Sequence, residues 1–329
     1  MKNYVPKDIT IATTYRCNSR CRMCNIWQIE NPADLPLEYF YNLNPEIKYI
    51  NLSGGEPFLR ADLPEIVGII KKKASKASVI ISSNGFATEL IVDQMKKIFA
   101  INPLVGVRIS VDGMAETHNQ VRGLDNIFER AINTIDELKK IGIKNLGFSF
   151  TMMDFNVREL PVVYRLAKKK GIELALALVQ NSEIYFQKNN NTSNDLDAIQ
   201  ESLDYVIKEE LSSWNVKKWL RAFYDYGLLV YAKEKRRLLP SGAGFDSAFI
   251  DPVGCVYPSN LINLPMGNIG QGGLLEVFNS KEAESVRERI KKEGIKESWI
   301  ICTIRGEFRK NIWTVFFWIL KNKFFGQYK

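Results

Sequence analysis

The sequence predicts an α/β fold: a parallel sheet curved into a partial (β/α)6 TIM-like barrel, followed by a C-terminal extension. Three observations predict it. Short apolar runs rich in Val and Ile recur through the first 180 residues or so, as strands buried on both faces require. Amphipathic stretches of helical period lie between them. Capping and turn residues punctuate the alternation.

The strand candidates are 8–13, 48–53, 78–83, 104–111, 144–151 and 172–179. The helical candidates between them are 36–43, 62–76, 88–100, 126–141 and 156–170. Asp62-Leu63-Pro64 and Asp125-Asn126 read as helix starts, and Gly142 and Gly171 as stops. Six such repeats fit one curved sheet, whose active site belongs at the C-terminal ends of its strands. The polar run from Lys188 to Asp195 reads as a connection. Helices are expected over about 195–211 and 214–237, then a Gly-rich turn from Ser241 to Gly244. A hairpin over 249–257 and a helix near 279–293 follow. The expected units are 1–187, 188–240, 241–304 and a tail, 305–329.

A chain of 329 residues is long enough for a sizeable core and more than one unit. Its net charge is +8, with basic clusters at Lys71–Lys73, Lys168–Lys170 and Lys233–Arg237. Each cluster reads as the solvated end of a helix. The surplus favours an acidic partner: a phosphorylated substrate, an acidic peptide or an anionic membrane. No nucleic-acid motif stands out, so nucleic acid is not expected. The first residues carry no apolar signal segment, and the five cysteines do not pair evenly. Both point to a reducing, cytoplasmic setting.

The chemistry concentrates at strand ends. Cys17, Cys21 and Cys24 form a CxxxCxxC run just after the first strand. Three thiolates on one loop can hold three corners of a cubane iron–sulfur cluster, leaving the fourth iron open to chelate a small molecule. Zinc, or plain structural thiols, is the alternative. A zinc site wants a fourth ligand nearby, and the sole histidine, His118, and Cys255 and Cys302 are far along the chain. Strand two runs into Gly54-Gly55-Glu56-Pro57, either a structural turn or a place for close approach to backbone. Strand three ends in Ser83-Asn84-Gly85, and strand four in Ser110-Val111-Asp112-Gly113, with Arg122-Gly123 beyond. Leu178 and Val179, ending strand six, wall a ligand or pack a core.

On these residues the chain resembles the radical S-adenosylmethionine (radical SAM) superfamily. The resemblance implies one 4Fe–4S cluster on Cys17, Cys21 and Cys24. It also implies reductive cleavage of SAM to a 5′-deoxyadenosyl radical that takes hydrogen from a substrate. Gly54, Gly55 and Glu56 then receive the SAM amino group. Asn84 faces SAM, Ser110 and Arg122 meet its carboxylate, and Asp112 contacts the ribose. His118 reads as a turn residue. Two positions depart from the pattern: Asn119 replaces an aspartate, and Met23 an aromatic. Ser241, Gly254-Cys255, Ser259, and Ser298-Trp299 to Cys302 resemble the SPASM or twitch extension, whose cysteines hold auxiliary clusters. Serine is a poor ligand for iron–sulfur, so an extension that folds without an auxiliary cluster is expected.

The implied partners are a reductant such as flavodoxin or ferredoxin, and a peptide, protein or small-molecule substrate. A phosphorylated or lipid-linked metabolite, or a non-catalytic binding role, is the alternative. No substrate-side acid, base or radical relay can be assigned. In the tail, Asn311 to Leu320 is apolar for about nine residues, against about twenty needed to span a bilayer. Arg309, Lys310, Lys321 and Lys323 flank it. A docked helix or dimer contact is one reading; peripheral membrane contact is the other.

Overall fold

A computed structural model of the protein describes residues 3–294, 298–326 and 328. Strands β1 (Asp8–Thr14), β2 (Tyr49–Gly54), β3 (Ser78–Ser83), β4 (Gly106–Ser110), β5 (Leu146–Met152) and β6 (Glu173–Leu178) pair in parallel, each with the next. Every residue of β1 is buried, which is why that strand shows so little polar alternation. The helices that return the chain are α1 (Leu63–Lys73), α2 (Thr88–Ile101), α3 (Ala115–Arg122), α4 (Ile127–Lys140) and α5 (Leu160–Lys170). Their apolar faces, with Ile66 and Ile70 of α1 and Ile135 and Leu138 of α4, join the strands in one core. The expected partial (β/α)6 barrel with a C-terminal extension is what the chain forms.

Several local expectations change. The segment expected as a helix at 36–43 is a 3-10 turn, Leu37–Asn42. Strand four starts at Gly106 rather than 104, because Leu104 is exposed in the preceding turn. Helix α3 was not foreseen: it buries only His118, Val121 and Arg122, a face too polar to show apolar periodicity. Asp62 marks the start of α1 but does not cap it, since its carboxylate pairs with Arg60 at 2.5 Å. Gly171 ends α5 in the left-handed conformation, as its position suggested.

Helices α6 (Leu196–Ser212) and α7 (Val216–Glu234) follow the barrel as an antiparallel pair. The extension then rejoins the sheet. Strand β7 (Ser247–Ile250) pairs in parallel with the free edge of β1. Strands β8 (Cys255–Tyr257) and β9 (Gly267–Asn268) add antiparallel neighbours, giving among the described residues nine strands in the order β6-β5-β4-β3-β2-β1-β7-β8-β9. Helices α8 (Leu274–Phe278) and α9 (Lys281–Glu293) close this part. Helix α10 (Ile301–Lys310) runs across the expected boundary at residue 305, and α11 (Ile312–Phe324) follows it. No helix among the described residues is long and apolar enough to cross a membrane.

Trp299 anchors the segment before α10. It is 1% exposed, its indole donates to the Tyr224 carbonyl at 2.8 Å, and its ring stacks on Tyr224. It can sit there only because residue 227, mid-helix in α7, is glycine: a Cβ at that point would lie 2.1 Å from the indole. Gly68 in α1 has open space instead. The two glycines should therefore answer oppositely to alanine. Gly227→Ala should lose about 1–3 kcal/mol by overpacking, and Gly68→Ala should gain about 0.5–1 kcal/mol from helix propensity. Urea unfolding of the two variants checks this; a stabilised Gly227→Ala would refute the Trp299 packing.

Candidate active site

The loop from Cys17 to Cys24 leaves β1 and closes with Cys24 N–H donating to the Cys21 carbonyl at 3.1 Å. It is clamped from below by the end of α3. Arg20 N–H donates to the Arg122 carbonyl at 3.0 Å, and Arg22 N–H to Val121 at 2.8 Å. Gly123 must be glycine here, since φ is +65° and a Cβ would lie 2.5 Å from the Arg20 carbonyl oxygen. All three cysteines are half-buried and free of disulfides. Burial, with the neighbouring Cys21 charge opposing ionisation in each, pushes the Cys17 and Cys24 thiols up to about 12. Bound iron would reverse that balance, because a coordinating thiol is deprotonated.

The donor set fits a cubane cluster. Three thiols share one short loop, with no other cysteine on it. Among the described residues no three His, Cys, Asp or Glu side chains close on a single-ion position. A cubane asks less, since each thiolate binds a different iron. A guanidinium also stands ready beside the ligands: Arg122 Nη1 donates to Cys21 Sγ at 3.5 Å.

Each expected contact residue lies at this end of the sheet. Gly54 and Gly55 do admit a close approach, but of this chain's own backbone. Gly55 N–H donates to the Thr14 carbonyl at 2.7 Å, and Glu56 N–H to Arg16 at 2.8 Å. A Cβ on Gly55 would lie 2.0 Å from the Arg16 oxygen. The glycines thus seat β2 against the cysteine loop. The Glu56 carboxylate is 1% exposed and accepts from Asn84 N–H at 2.7 Å and Phe58 N–H at 3.3 Å. Burial pushes it up to about 7 against these hydrogen bonds. Asn84 in turn donates from its amide to Asn18 Oδ1, inside the cysteine loop, at 2.7 Å. Ser110 ends β4, half-buried.

Asp112 and Arg122 are buried and pair with each other. Arg122 donates to Asp112 from Nε at 2.7 Å and from Nη2. The other Asp112 oxygen accepts from Thr151 N–H at 2.7 Å. Both oxygens of this carboxylate thus accept hydrogen bonds within the protein. Arg122 has only its Nη1 edge left, beside Cys21.

His118 is not a turn residue but a buried helical one. Its Nδ1 accepts from Asp112 N–H at 2.9 Å. Burial, and then the Arg122 charge, push it down to about 3. It is neutral, so its 4.0 Å approach to the Asp112 carboxylate is not an ion pair. Asn156 was missed as well: its amide donates to the Asp112 and Thr151 carbonyls, both at 2.9 Å. Nothing in a lone asparagine after an unremarkable loop could have shown this.

A second strap covers the cysteine loop. Asn25 N–H donates to the Phe186 carbonyl at 2.8 Å, Lys188 to the Arg22 carbonyl, and Asn191 to the Met23 carbonyl at 3.0 Å. Tyr185 bonds Ser53 of β2 through its hydroxyl. Beside this strap lies a cleft of about 490 Å³, lined by Leu178, Val179, Asn181, Asn191 and, across it, Ile262 and Ser298 of the extension. Leu178 and Val179 thus border this cavity and also pack in the buried core.

In the extension, Ser241 accepts from Ala243 N–H at 3.1 Å and Ser259 from Leu261 N–H at 3.2 Å. These hydroxyls shape turns. Cys255 lies in β8 and Cys302 in the first turn of α10.

The chain is similar to known proteins in sequence and in fold. Residues 11–167 match the model of the Radical SAM superfamily. The chain is 33% identical over 166 residues to Fe-coproporphyrin III synthase of Methanosarcina barkeri, covering 48% of this chain and 40% of that one. It is 28% identical over 293 residues to the mycofactocin maturase MftC of Mycolicibacterium smegmatis, covering 84% of this chain and 71% of the relative. By fold it resembles SuiB of Streptococcus suis bound to S-adenosylmethionine, with a TM-score of 0.66, 13% identity, and 86% and 68% of the two chains covered. SuiB has also been crystallised with its precursor peptide SuiA. The family match falls on the barrel half of the chain, the part that carries Cys17, Cys21 and Cys24.

His118 generates a pH dependence. Its proton affinity is depressed on folding, from the ordinary 6.5 to about 3. Its contribution to stability is therefore complete above pH 6.5 and is lost as pH falls toward 3. An asparagine in its place would keep an acceptor for Asp112 N–H without the charge. The stability gap between wild type and His118→Asn should narrow from about pH 8 to about pH 4.5. Urea unfolding at both pH values reads it, and a constant gap would mean His118 titrates normally.

Proposed function

We propose that the protein binds one 4Fe–4S cluster on Cys17, Cys21 and Cys24 and SAM against the ends of β2, β3 and β4, and modifies a peptide or protein substrate held under its extension. One observation carries this: the three cysteines and the expected SAM contacts meet at one end of the sheet, joined through Asn84 to Asn18 and Arg122 to Cys21. When bound, the cofactors supply a 5′-deoxyadenosyl radical that abstracts hydrogen.

The chain's own residues bind and orient. Gly54, Gly55 and Glu56 form the turn that receives the SAM amino group. Ser110 and the Nη1 edge of Arg122 meet its carboxylate, with Arg122 aimed by Asp112. Asn84 faces SAM while holding the cysteine loop. The strap over residues 180–191 covers that loop and, with the extension, excludes water.

The peptide reading is supported by how far each likeness runs. The match to Fe-coproporphyrin III synthase covers less than half of this chain. The match to the maturase covers 84% of it. SuiB, alike in fold, has been seen with a peptide. A one-electron reductant such as flavodoxin or ferredoxin is proposed as the partner. A cytoplasmic location with peripheral membrane contact through the tail completes the reading.

Anaerobic reconstitution with iron and sulfide, then dithionite and SAM, should yield 5′-deoxyadenosine by mass spectrometry. Changing Cys17, Cys21 and Cys24 together to Ala should abolish it. An intact cluster that makes no 5′-deoxyadenosine, with or without peptide, would overturn the proposal. The same reconstituted protein should hold about four irons per chain. About eight would show that the extension binds a second cluster after all.

A further inference from the structure

We propose that the outward face of α11, together with the turn between α6 and α7, is a docking surface for an anionic lipid membrane. The inference deepens the peripheral-membrane reading above by naming the lipid class and a second segment of the surface.

Helix α11 is apolar on two sides. Val315 and Ile319 are buried, and Trp318 packs on Phe223 and Tyr226 of α7. That face is a docked helix. Ile312, Trp313, Phe316, Phe317, Leu320 and Phe324 follow the spacing i, i+1, i+4, i+5, i+8, i+12, so they share a second face. All six are exposed, Trp313 at 69% and Phe317 at 60%. Docking has used one face and left the more aromatic one in water.

The structure extends this face with a segment the sequence did not connect to it. Lys323 donates to the carbonyls of Leu211 and Ser213. Its ammonium lies 4.7 Å from the ring of Trp214. Trp214 and Phe325 are each 80% exposed. Bulky aromatics from two places in the chain therefore stand at one edge of the molecule.

Charge selects the occupant. Residues 308–329 contain five cations and no Asp or Glu, and residues 211–224 also lack an acid. Lys321 is exposed and has no carboxylate partner among the described residues. A second copy meeting this face symmetrically would bring like charges together with no acid from either segment to answer them. Exposed aromatics with basic residues and no acids match an anionic bilayer interface, where rings enter the headgroup boundary and cations stay in its negative potential.

The test is flotation of the full chain with vesicles of phosphatidylcholine alone or with added phosphatidylglycerol. Flotation is expected with the anionic vesicles and should fall about tenfold in Trp313→Ser/Phe317→Ser. Lys321→Gln should weaken it by a smaller factor and reduce its salt dependence. Both variants change exposed side chains, and an unchanged urea-unfolding midpoint would show that the fold survives. Equal flotation with neutral vesicles would overturn the anionic-lipid proposal while leaving peripheral contact standing. No flotation would overturn both. A concentration-dependent dimer, seen by sedimentation and lost in Trp313→Ser/Phe317→Ser, would also overturn it, assigning the face to a second copy. None of these outcomes bears on the cluster chemistry, which the cysteine variants test separately.

Discussion

One buried ion pair organises the catalytic end of the sheet. Asp112 sits where the chain leaves β4, and each of its polar groups holds a different element. Its carboxylate takes Arg122 at the end of α3 and the backbone of Thr151 in β5. Its amide reaches His118, and its carbonyl accepts from Asn156. Arg122 then passes the constraint on, through its carbonyl to Arg20 and through Nη1 to Cys21. Removing either partner would strand a buried charge, at a cost of about 3–5 kcal/mol. The pair is more than a structural tie. It fixes a positive charge beside the Cys21 thiol, and hydrogen bonds and charge there would tune the potential of a cluster held by that sulfur.

The extension is held by protein contacts. Its first strand pairs with β1, the strand that runs into the cysteine loop. Arg287, 4% exposed, donates to the carbonyls of Gly244 at 3.2 Å and Phe278 at 2.9 Å. Trp299 locks the approach to α10 onto α7. Asp8, at the start of β1, takes Arg305 of α10 at 2.7 Å. These contacts order the part of the fold that holds Ser241, Ser259 and Ser298.

The sequence made some of this legible and hid the rest for definable reasons. The six parallel strands could be read because burial on both faces forces unbroken apolar runs. The cysteine loop could be read because its spacing is chemically demanding. Helix α3 could not, because its buried face is a histidine and an arginine that look like surface residues until Asp112 is placed beside them. The internal partners of Asp112 were invisible for the same reason: a motif places a residue near a cofactor but does not say what else its oxygens hold. The pairing of β7 with β1 links residues more than 230 apart, and no local pattern carries that information. The tail's two apolar faces were present in the sequence as one run. Only packing on α7 separates the face that stabilises the fold from the face that is left over.

The strap over residues 180–191 joins the cleft to the cysteine loop. Asn191 donates from one amide nitrogen to both Met23 in the cysteine loop and Gln180 at the end of β6, at 3.0 and 2.8 Å. Its backbone N–H donates to Asn181, and Asn181 donates to the Asn191 carbonyl in return. Asn181 and Asn191 also line the cleft. Amide side chains both donate and accept, as a peptide backbone does. A molecule in the cleft therefore touches the same asparagines whose bonds hold the cysteine loop in place. Displacing Asn191 to satisfy a substrate would free the Met23 carbonyl, one residue before Cys24. Asn191 thus lies both on the wall of the cleft and against the loop that carries the thiols.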